Sequence, residues 1–175
     1  MLAFARAVLD ADRLKEAGAA SLWVGDRNLA AVHPVIGYGG QGTAVPEELN
    51  AAADPFVLLG VAAGATRRVL LGGQVLVAPL CPPLQPARSL TTIDLVSGGR
   101  LVPGFGVGWS PEEYQAAGLD FTHRGARMDE LLDALEALWT TDPAHYEGAR
   151  LSVPPHHSPF KPDRRPRPPR PERGG

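Results

Sequence analysis

The chain has 175 residues, a formal net charge of -2 and 44% apolar residues. This length is sufficient for one domain with a hydrophobic core. Because the charge is nearly balanced, the protein has no field that would attract nucleic acid or an anionic membrane, so neither partner is expected.

The cysteine content and the first residues indicate the compartment. Cys81 is the single cysteine and cannot form a disulfide within the chain. Arg6, Asp10 and Asp12 interrupt the segment where a secretion signal requires an unbroken apolar run. These features predict a cytoplasmic protein.

The first third of the chain predicts a helix, a strand and a long connection. Apolar residues at helical spacing start almost at Met1 and end at Gly18, which favours a helix with a glycine stop. Residues 21–25 are short and apolar, as is typical of a strand buried on both faces. The polar, glycine-rich stretch 27–53 exceeds an ordinary connection, which predicts a functional loop or a partly disordered segment.

Helices and strands then alternate. Asp54 and Pro55 predict a helix start, with the aspartate as the cap and the proline at the first helical position. The apolar patterns predict a strand over residues 69–77, a helix over 84–96 and a strand over 101–105. This alternation predicts the α/β class, with a parallel sheet and right-handed crossovers.

Three further sequence features lie within the last of these strands or after it. Pro103 cannot donate a hydrogen bond to a neighbouring strand, so it predicts a local distortion. Ser110 and Glu113 have the spacing of a capping box, in which each side chain bonds a free N–H of the first helical turn. Residues 122–140 predict the longest helix, because their apolar side chains form one stripe.

The composition changes after residue 153 to proline and arginine, with too few apolar residues to offset the entropy of ordering. We therefore predict one domain over residues 1–153 and a disordered or extended tail over residues 154–175. The basic residues of the tail lack the interleaved aromatic residues that a nucleic-acid-binding segment uses. His156 and His157 have no acidic or cysteine ligand arranged with them, so no metal site is expected.

The residues that follow the strands are the candidate functional positions, because ligands bind parallel sheets at the carboxyl ends of strands. These positions are Asp26 and Arg27, then Gln74 and Val75 with Val77, then the glycine-containing segment 106–109. The glycines would let a flat ring or a neighbouring backbone approach closely, and tight packing is the alternative explanation. Their spacing does not match the dinucleotide pattern G-x-G-x-x-G.

Three segments together carry a family resemblance: residues 90–100 (LTTIDLVSGGR), 104–109 (GFGVGW) and 124–127 (RGAR). They resemble the luciferase-like monooxygenase family, in particular the branch that uses the deazaflavin coenzyme F420. The resemblance implies a TIM-type (β/α) barrel that holds a flavin or deazaflavin ring against its strand ends. It also implies hydride transfer between that ring and a small organic substrate, with the cofactor supplying the difficult chemistry.

The resemblance assigns cofactor contacts to six residues: Asp26, Gln74, Val75, Gly106, Val107 and Gly108. In the family a strained peptide backs the ring, and Gln74-Val75 occupies that place. Arg27 and Trp109 take the catalytic positions. Relatives commonly have histidine where Arg27 stands, and an arginine can stabilise an anion but cannot transfer a proton at neutral pH. Trp109 replaces a carboxylate of some relatives and would form a wall of the pocket.

The resemblance covers only strands two to four of such a barrel, so we expect a truncated member with an open sheet face. Each large apolar side chain left in water costs roughly 1.5–3 kcal/mol, which favours a homo-oligomer or completion by another chain. Three functions remain open. They are F420-dependent hydride transfer, an FMN-dependent monooxygenase of the same fold, and a non-catalytic fragment that acts through association.

Overall fold

The computed structural model describes residues 18–163. Strands β1 (Ser21–Val24), β2 (Leu70–Gly73) and β3 (Leu101–Val102) form a parallel sheet in the order β1-β2-β3. The predicted α/β class and parallel sheet are confirmed. The helix predicted for the first residues lies mainly outside the described part of the chain.

The described residues form four α-helices beside the strands: α1 (Pro55–Ala65), α2 (Leu84–Ser97), α3 (Pro111–Ala116) and α4 (Arg124–Thr140). The Asp54 carboxylate accepts the Val57 N–H at 3.0 Å, which confirms the predicted cap of α1. Gly98 ends α2 with a φ of 69°, a left-handed conformation that glycine adopts without steric cost. None of the helices within residues 18–163 has the length and apolar composition of a transmembrane span.

Short 3-10 helices lie in the connections: Tyr38–Gly40, Glu47–Asn50, Ala78–Leu80 and Phe121–His123. The first two interrupt the long stretch 27–53. The last one precedes α4, so the longest predicted helix begins two residues later than expected. The predicted apolar stripe of α4 is confirmed, because Met128, Leu131, Leu135, Leu138 and Trp139 are all buried.

An antiparallel hairpin follows α4 and contains β4 (Ala144–Glu147) and β5 (Ser152–His156). The domain boundary predicted after residue 153 falls inside β5, where Val153 is buried in the core. The Asp163 N–H donates to the buried Asp94 carboxylate at 2.8 Å, so the backbone is attached to the domain as far as residue 163. Residues 154–156 are extended, which is one of the two predicted alternatives, but they belong to a strand of the hairpin and the predicted boundary therefore divides that strand. Residues 164–175 lie outside the described part.

One face of the parallel sheet packs against the helices. Leu22, Leu71 and Leu101 lie on this face and are buried with residues of α1, α2 and α4. Burial of each such side chain contributes roughly 1.5–3 kcal/mol. The core therefore lies between the sheet and the helices, which leaves the carboxyl ends of the strands free for other contacts.

The other face of the sheet carries partly exposed apolar side chains. Trp23 lies opposite Gly72, and a Cβ on that glycine would come within 2.3 Å of the indole ring. Trp23 and Leu70 on this face are 39% and 40% exposed. The uncovered sheet face that the sequence predicts is present at these two residues.

Arg100 joins the C-terminal ends of α1 and α2. Its Nε donates to the Ser97 carbonyl at 2.7 Å, and its two terminal nitrogens donate to the carbonyls of Ala63, Thr66 and Val69 at 2.7–3.1 Å. Carbonyls at helix ends lack partners within the helix and carry partial negative charge. The guanidinium therefore fixes both helix ends beside the start of β3.

The strands predicted over 69–77 and 101–105 are shorter in the structure. Beyond Pro103 only an isolated bridge continues the pairing, in which the Leu76 N–H donates to the Gly104 carbonyl at 2.8 Å. The distortion predicted from Pro103 is confirmed. The peptide bond between Gln74 and Val75 is cis, at the place where the resemblance implies an unusual peptide.

Candidate functional site

The carboxyl ends of the three parallel strands meet at a cavity of about 220 Å³. Its lining comes from the end of β1, the segment after β2, the segment after β3, the start of α3 and the long loop 27–53. The lining residues are Gly25, Asp26, Arg27, Tyr38, Leu49, Gln74, Val75, Val77, Gly108, Trp109 and Glu113. A cavity in this place has the position at which β/α folds bind ligands.

Two larger cavities lie elsewhere, on the helical side of the molecule. One of about 650 Å³ lies between α1 and α2, and one of about 440 Å³ lies between α2, α4 and the segment after β5. Neither contains a carboxylate, whereas the strand-end cavity combines two carboxylates, a guanidinium and two aromatic rings. The strand-end cavity combines convergent polar groups with the position at which β/α folds bind ligands, so it is the candidate site although it is smaller.

Six of the eight predicted site residues line this cavity: Asp26, Arg27, Gln74, Val75, Gly108 and Trp109. Gly106 and Val107 do not line it. A Cβ on Gly106 would lie 2.3 Å from Cγ2 of Val75, so this glycine makes room for a neighbouring side chain. Gly108 has a φ of 73°, and a Cβ there would lie 2.7 Å from Cγ1 of Val77. The packing explanation therefore accounts for both glycines.

Asp26 connects the end of β1 to the segment after β2. Its Oδ2 accepts the Val77 N–H at 2.8 Å. Burial raises the pKa of the Asp26 carboxyl, and the nearby Glu113 charge also raises it, against the lowering effect of the Val77 N–H. Asp26 thus holds two strand ends together and keeps its proton to a higher pH than an exposed aspartate does.

Arg27 and two aromatic residues form one wall of the cavity. Cζ of Arg27 lies 4.7 Å from the centre of the Trp109 ring, within the range of a cation–π interaction. Trp109 in turn contacts the ring of Tyr38 edge-on, with 5.8 Å between centroids. Tyr38 belongs to the long loop, and no sequence signal identified it, because loop composition does not show which residue turns toward a site.

The capping box predicted for Ser110 and Glu113 is wrong. The Ser110 hydroxyl donates to Oε2 of Glu112 at 2.6 Å and makes no bond to a helical N–H. Oε1 of Glu113 accepts the N–H groups of Asn28 at 2.6 Å and Leu29 at 3.4 Å. Glu113 does not cap its own helix because these loop N–H groups require an acceptor, and a buried N–H without a partner is costly.

Glu112 holds the long loop at a second point. Its Oε1 accepts the Val35 N–H at 2.6 Å. The hydrogen bond from the Ser110 hydroxyl lowers the pKa of the Glu112 carboxyl most, and the bond from the Val35 N–H lowers it further. The two glutamates at the start of α3 therefore attach the loop beside the cavity, which supports the functional-loop prediction.

A parallel sheet with crossover helices and a cavity at its strand ends is the arrangement of β/α folds, among them the β/α barrel. The sequence model of the luciferase-like monooxygenase family matches residues 3–172. The chain therefore belongs to the luciferase-like monooxygenase family, as the three resembling segments indicated.

Sequence relatives include proteins with and without an assigned activity. The uncharacterized protein Rv0953c of Mycobacterium tuberculosis is 37% identical over 95 residues, which are 54% of this chain and 34% of that protein. The pyrimidine monooxygenase RutA of Allorhizobium ampelinum is 32% identical over 100 residues, which are 54% of this chain and 27% of that protein. The matches thus span about a third or less of the relatives' own length.

Solved structures share the fold. The monooxygenase RslO1 from Streptomyces bottropensis has a TM-score of 0.75 at 27% identity, and the match covers 94% of this chain and 45% of RslO1. An F420-dependent secondary alcohol dehydrogenase has a TM-score of 0.65 at 22% identity, and the match covers 91% of this chain and 45% of the dehydrogenase. A third structure is the oxygenating constituent of 3,6-diketocamphane monooxygenase from Pseudomonas putida, in complex with FMN. Its TM-score is 0.68 at 17% identity, and the match covers 86% of this chain and 38% of that protein. The last two show a common fold only.

Proposed function

We propose that this chain forms the strand-end part of a deazaflavin site, in an oxidoreductase that transfers hydride between coenzyme F420 and a small organic substrate. The observation that carries the proposal is the convergence of Asp26, Arg27, Gln74, Val75 and Trp109 on one cavity at three consecutive strand ends. Membership of the luciferase-like family supports a flavin-type cofactor, and one solved structure of the same fold is an F420-dependent enzyme.

The residues present fit the ring part of such a cofactor. Val75 is 41% exposed at the cavity and offers an apolar surface for one face of a planar ring. Trp109 and Tyr38 supply an aromatic wall beside it. The cavity volume of about 220 Å³ lies below the roughly 300–1,000 Å³ of sites for drug-sized ligands, so the cavity would hold the ring part and not the whole cofactor.

This chain's residues would position and shield the reacting groups. Hydride chemistry would come from the bound cofactor itself. Asp26, through its bond to Val77, keeps the first two strand ends at a fixed separation. Arg27 is permanently charged and would stabilise negative charge, while Trp109 and the loop residue Tyr38 would exclude water from that side.

An FMN-dependent monooxygenase is the second candidate function. RslO1 and RutA, the relatives with the higher identities among the named enzymes, are both called monooxygenases. The same ring-binding surface would serve FMN, because isoalloxazine and deazaflavin rings have similar planar shapes. The non-catalytic alternative, association through the open face at Trp23 and Leu70, needs no cofactor.

Separate titrations of the purified chain with F420 and with FMN, followed by cofactor fluorescence, test the proposal. We expect F420 to bind and the Val75→Asp variant to bind it about tenfold more weakly, because a charge replaces the apolar surface for the ring. Val32→Asp is the matched control, since Val32 is exposed and does not line the cavity. Binding of FMN alone would favour the monooxygenase, and binding of neither cofactor would contradict both enzyme proposals.

A further inference from the structure

Arg27 has hydrogen-bonding capacity that the described part of the protein does not use. A guanidinium carries five N–H donors in a planar fork. Nε of Arg27 donates to the Leu29 carbonyl at 2.8 Å, which holds the side chain in place. One terminal nitrogen, Nη1, is buried and has no hydrogen-bond partner among residues 18–163. A buried charged donor without a partner is costly, so an incoming acceptor would be favourable.

The carboxylates around Arg27 are bonded to other groups. Asp26 accepts from Val77, Glu113 from Asn28 and Leu29, and Glu112 from Val35 and Ser110. Within residues 18–163 no carboxylate oxygen lies within 4.0 Å of an Arg27 nitrogen. The positive charge at the cavity is therefore not neutralised by an ion pair with a described residue.

The surroundings of Arg27 limit the kind of anion that fits. Trp109 stacks beside the guanidinium at 4.7 Å and provides a flat apolar surface. Asp26 and Glu113 line the same cavity, and their carboxylates would repel a ligand that carries two negative charges. A single carboxylate matches the planar guanidinium fork, and a small planar body matches the indole surface.

We propose that the substrate of this site is a small planar monocarboxylate, whose carboxylate binds Arg27 and whose planar body lies against Trp109. This inference depends on the proposed function only in calling the ligand the substrate. Arg27 binds and orients the anion and transfers no proton, because its guanidinium stays protonated. The place of Arg27 at the end of β1 would direct the rest of the molecule toward Gln74 and Val75.

Calorimetric titration of the purified full chain with benzoate and with its neutral analogue benzamide tests the inference without any cofactor. We expect benzoate to bind about tenfold or more tightly than benzamide, as hydrogen bonds to charged groups allow. Arg27→Gln should abolish that preference, and Arg27→Lys should keep a weaker one. Arg68→Gln is the matched control, because Arg68 is exposed and does not line the cavity.

Equal binding of benzoate and benzamide by the unmodified protein would overturn the inference, and so would an unchanged preference in Arg27→Gln. The phosphate of a cofactor is the other source of an anionic group. If Arg27→Gln weakens FMN binding but leaves riboflavin and benzoate binding unchanged, Arg27 binds the cofactor's phosphate and the inference is wrong. Thermal melting of each variant shows whether it is folded. The F420 and FMN titrations test the proposed function separately, so a failure there can be distinguished from a failure of this inference.

Discussion

Oε1 of Glu113 accepts the backbone N–H of Asn28 at 2.6 Å, across 85 positions of the sequence. This bond attaches the start of α3 to the first residues of the loop that follows β1. Glu113 is only 4% exposed, so water does not replace it as an acceptor. The bond determines where Arg27, the neighbour of Asn28, lies relative to Trp109.

Replacing Glu113 therefore tests whether the loop is held by this carboxylate. We expect Glu113→Ala to lower the free energy of unfolding by about 1.5–3 kcal/mol, because the loop N–H groups lose a charged acceptor. Glu113→Gln keeps an acceptor oxygen and should lose less. Urea denaturation of the three proteins measures the difference. An alanine variant as stable as the parent would contradict the role of this bond.

Arg100 tests the connection between the two helix ends. Arg100→Leu should lower the free energy of unfolding by about 3 kcal/mol or more, since several partly buried carbonyls lose their donor together. Arg67→Leu is the control, because Arg67 is exposed and donates no hydrogen bond to these carbonyls. Equal urea midpoints for the two variants would show that the Arg100 bonds contribute little.

The thiol of Cys81 should react slowly in the folded protein. Burial, with the charges of Asp26 and Asp54, raises the pKa of Cys81 from 9.0 to about 11. At pH 8 this shift reduces the thiolate about 100-fold, and the thiolate is the reactive species. Alkylation by iodoacetamide, measured in native and urea-unfolded protein, checks the ratio. Asp26→Asn should speed the native reaction, and equal native and unfolded rates would contradict the prediction.

Asp26 should make stability depend on pH in a specific direction. Its carboxyl pKa is raised in the folded protein, mainly by burial. The protonated form is therefore favoured on folding. Its contribution to stability is complete below the ordinary aspartate pKa of about 3.9 and is lost as pH rises through the raised value.

Asp26→Asn should remove this dependence, because the amide oxygen still accepts the Val77 N–H and carries no charge. The melting temperature of the variant should increase relative to that of the parent as pH rises from about 3.5 to 7. Other carboxyls titrate in both proteins, so the difference between the two curves is the relevant measurement. A constant difference across this range would contradict the raised pKa.

The open sheet face should promote association of the chain. Trp23 and Leu70 are both large and substantially exposed there. We expect the parent to elute as a dimer or larger species in size-exclusion chromatography and Trp23→Lys to shift toward the monomer. Val32→Lys, in an exposed loop position, is the matched control. A monomeric parent with a cooperative melting transition would contradict the prediction.

Local signals predicted much of the fold from the sequence. The cap at Asp54 and the stripe of α4 each depend on residues within a few positions of one another. Such signals act through the hydrogen bonds and side-chain spacing of a single helix. The order of the strands was also predicted from apolar runs, and six of the eight predicted site residues line the cavity, although β2 and β3 end earlier than those runs predicted.

Other features were decided by the tertiary structure. Glu113 serves distant loop N–H groups and not its own helix, and Tyr38 reaches the site from a loop without a distinctive pattern. Gly106 makes room for Val75 across the sheet, and Val153 is ordered by the core it packs against. In each case the partner lies far away in the chain. The sequence alone determined most of the helices, the parallel α/β class and the family, while long-range packing decided where the strands end and which side chains meet at the site.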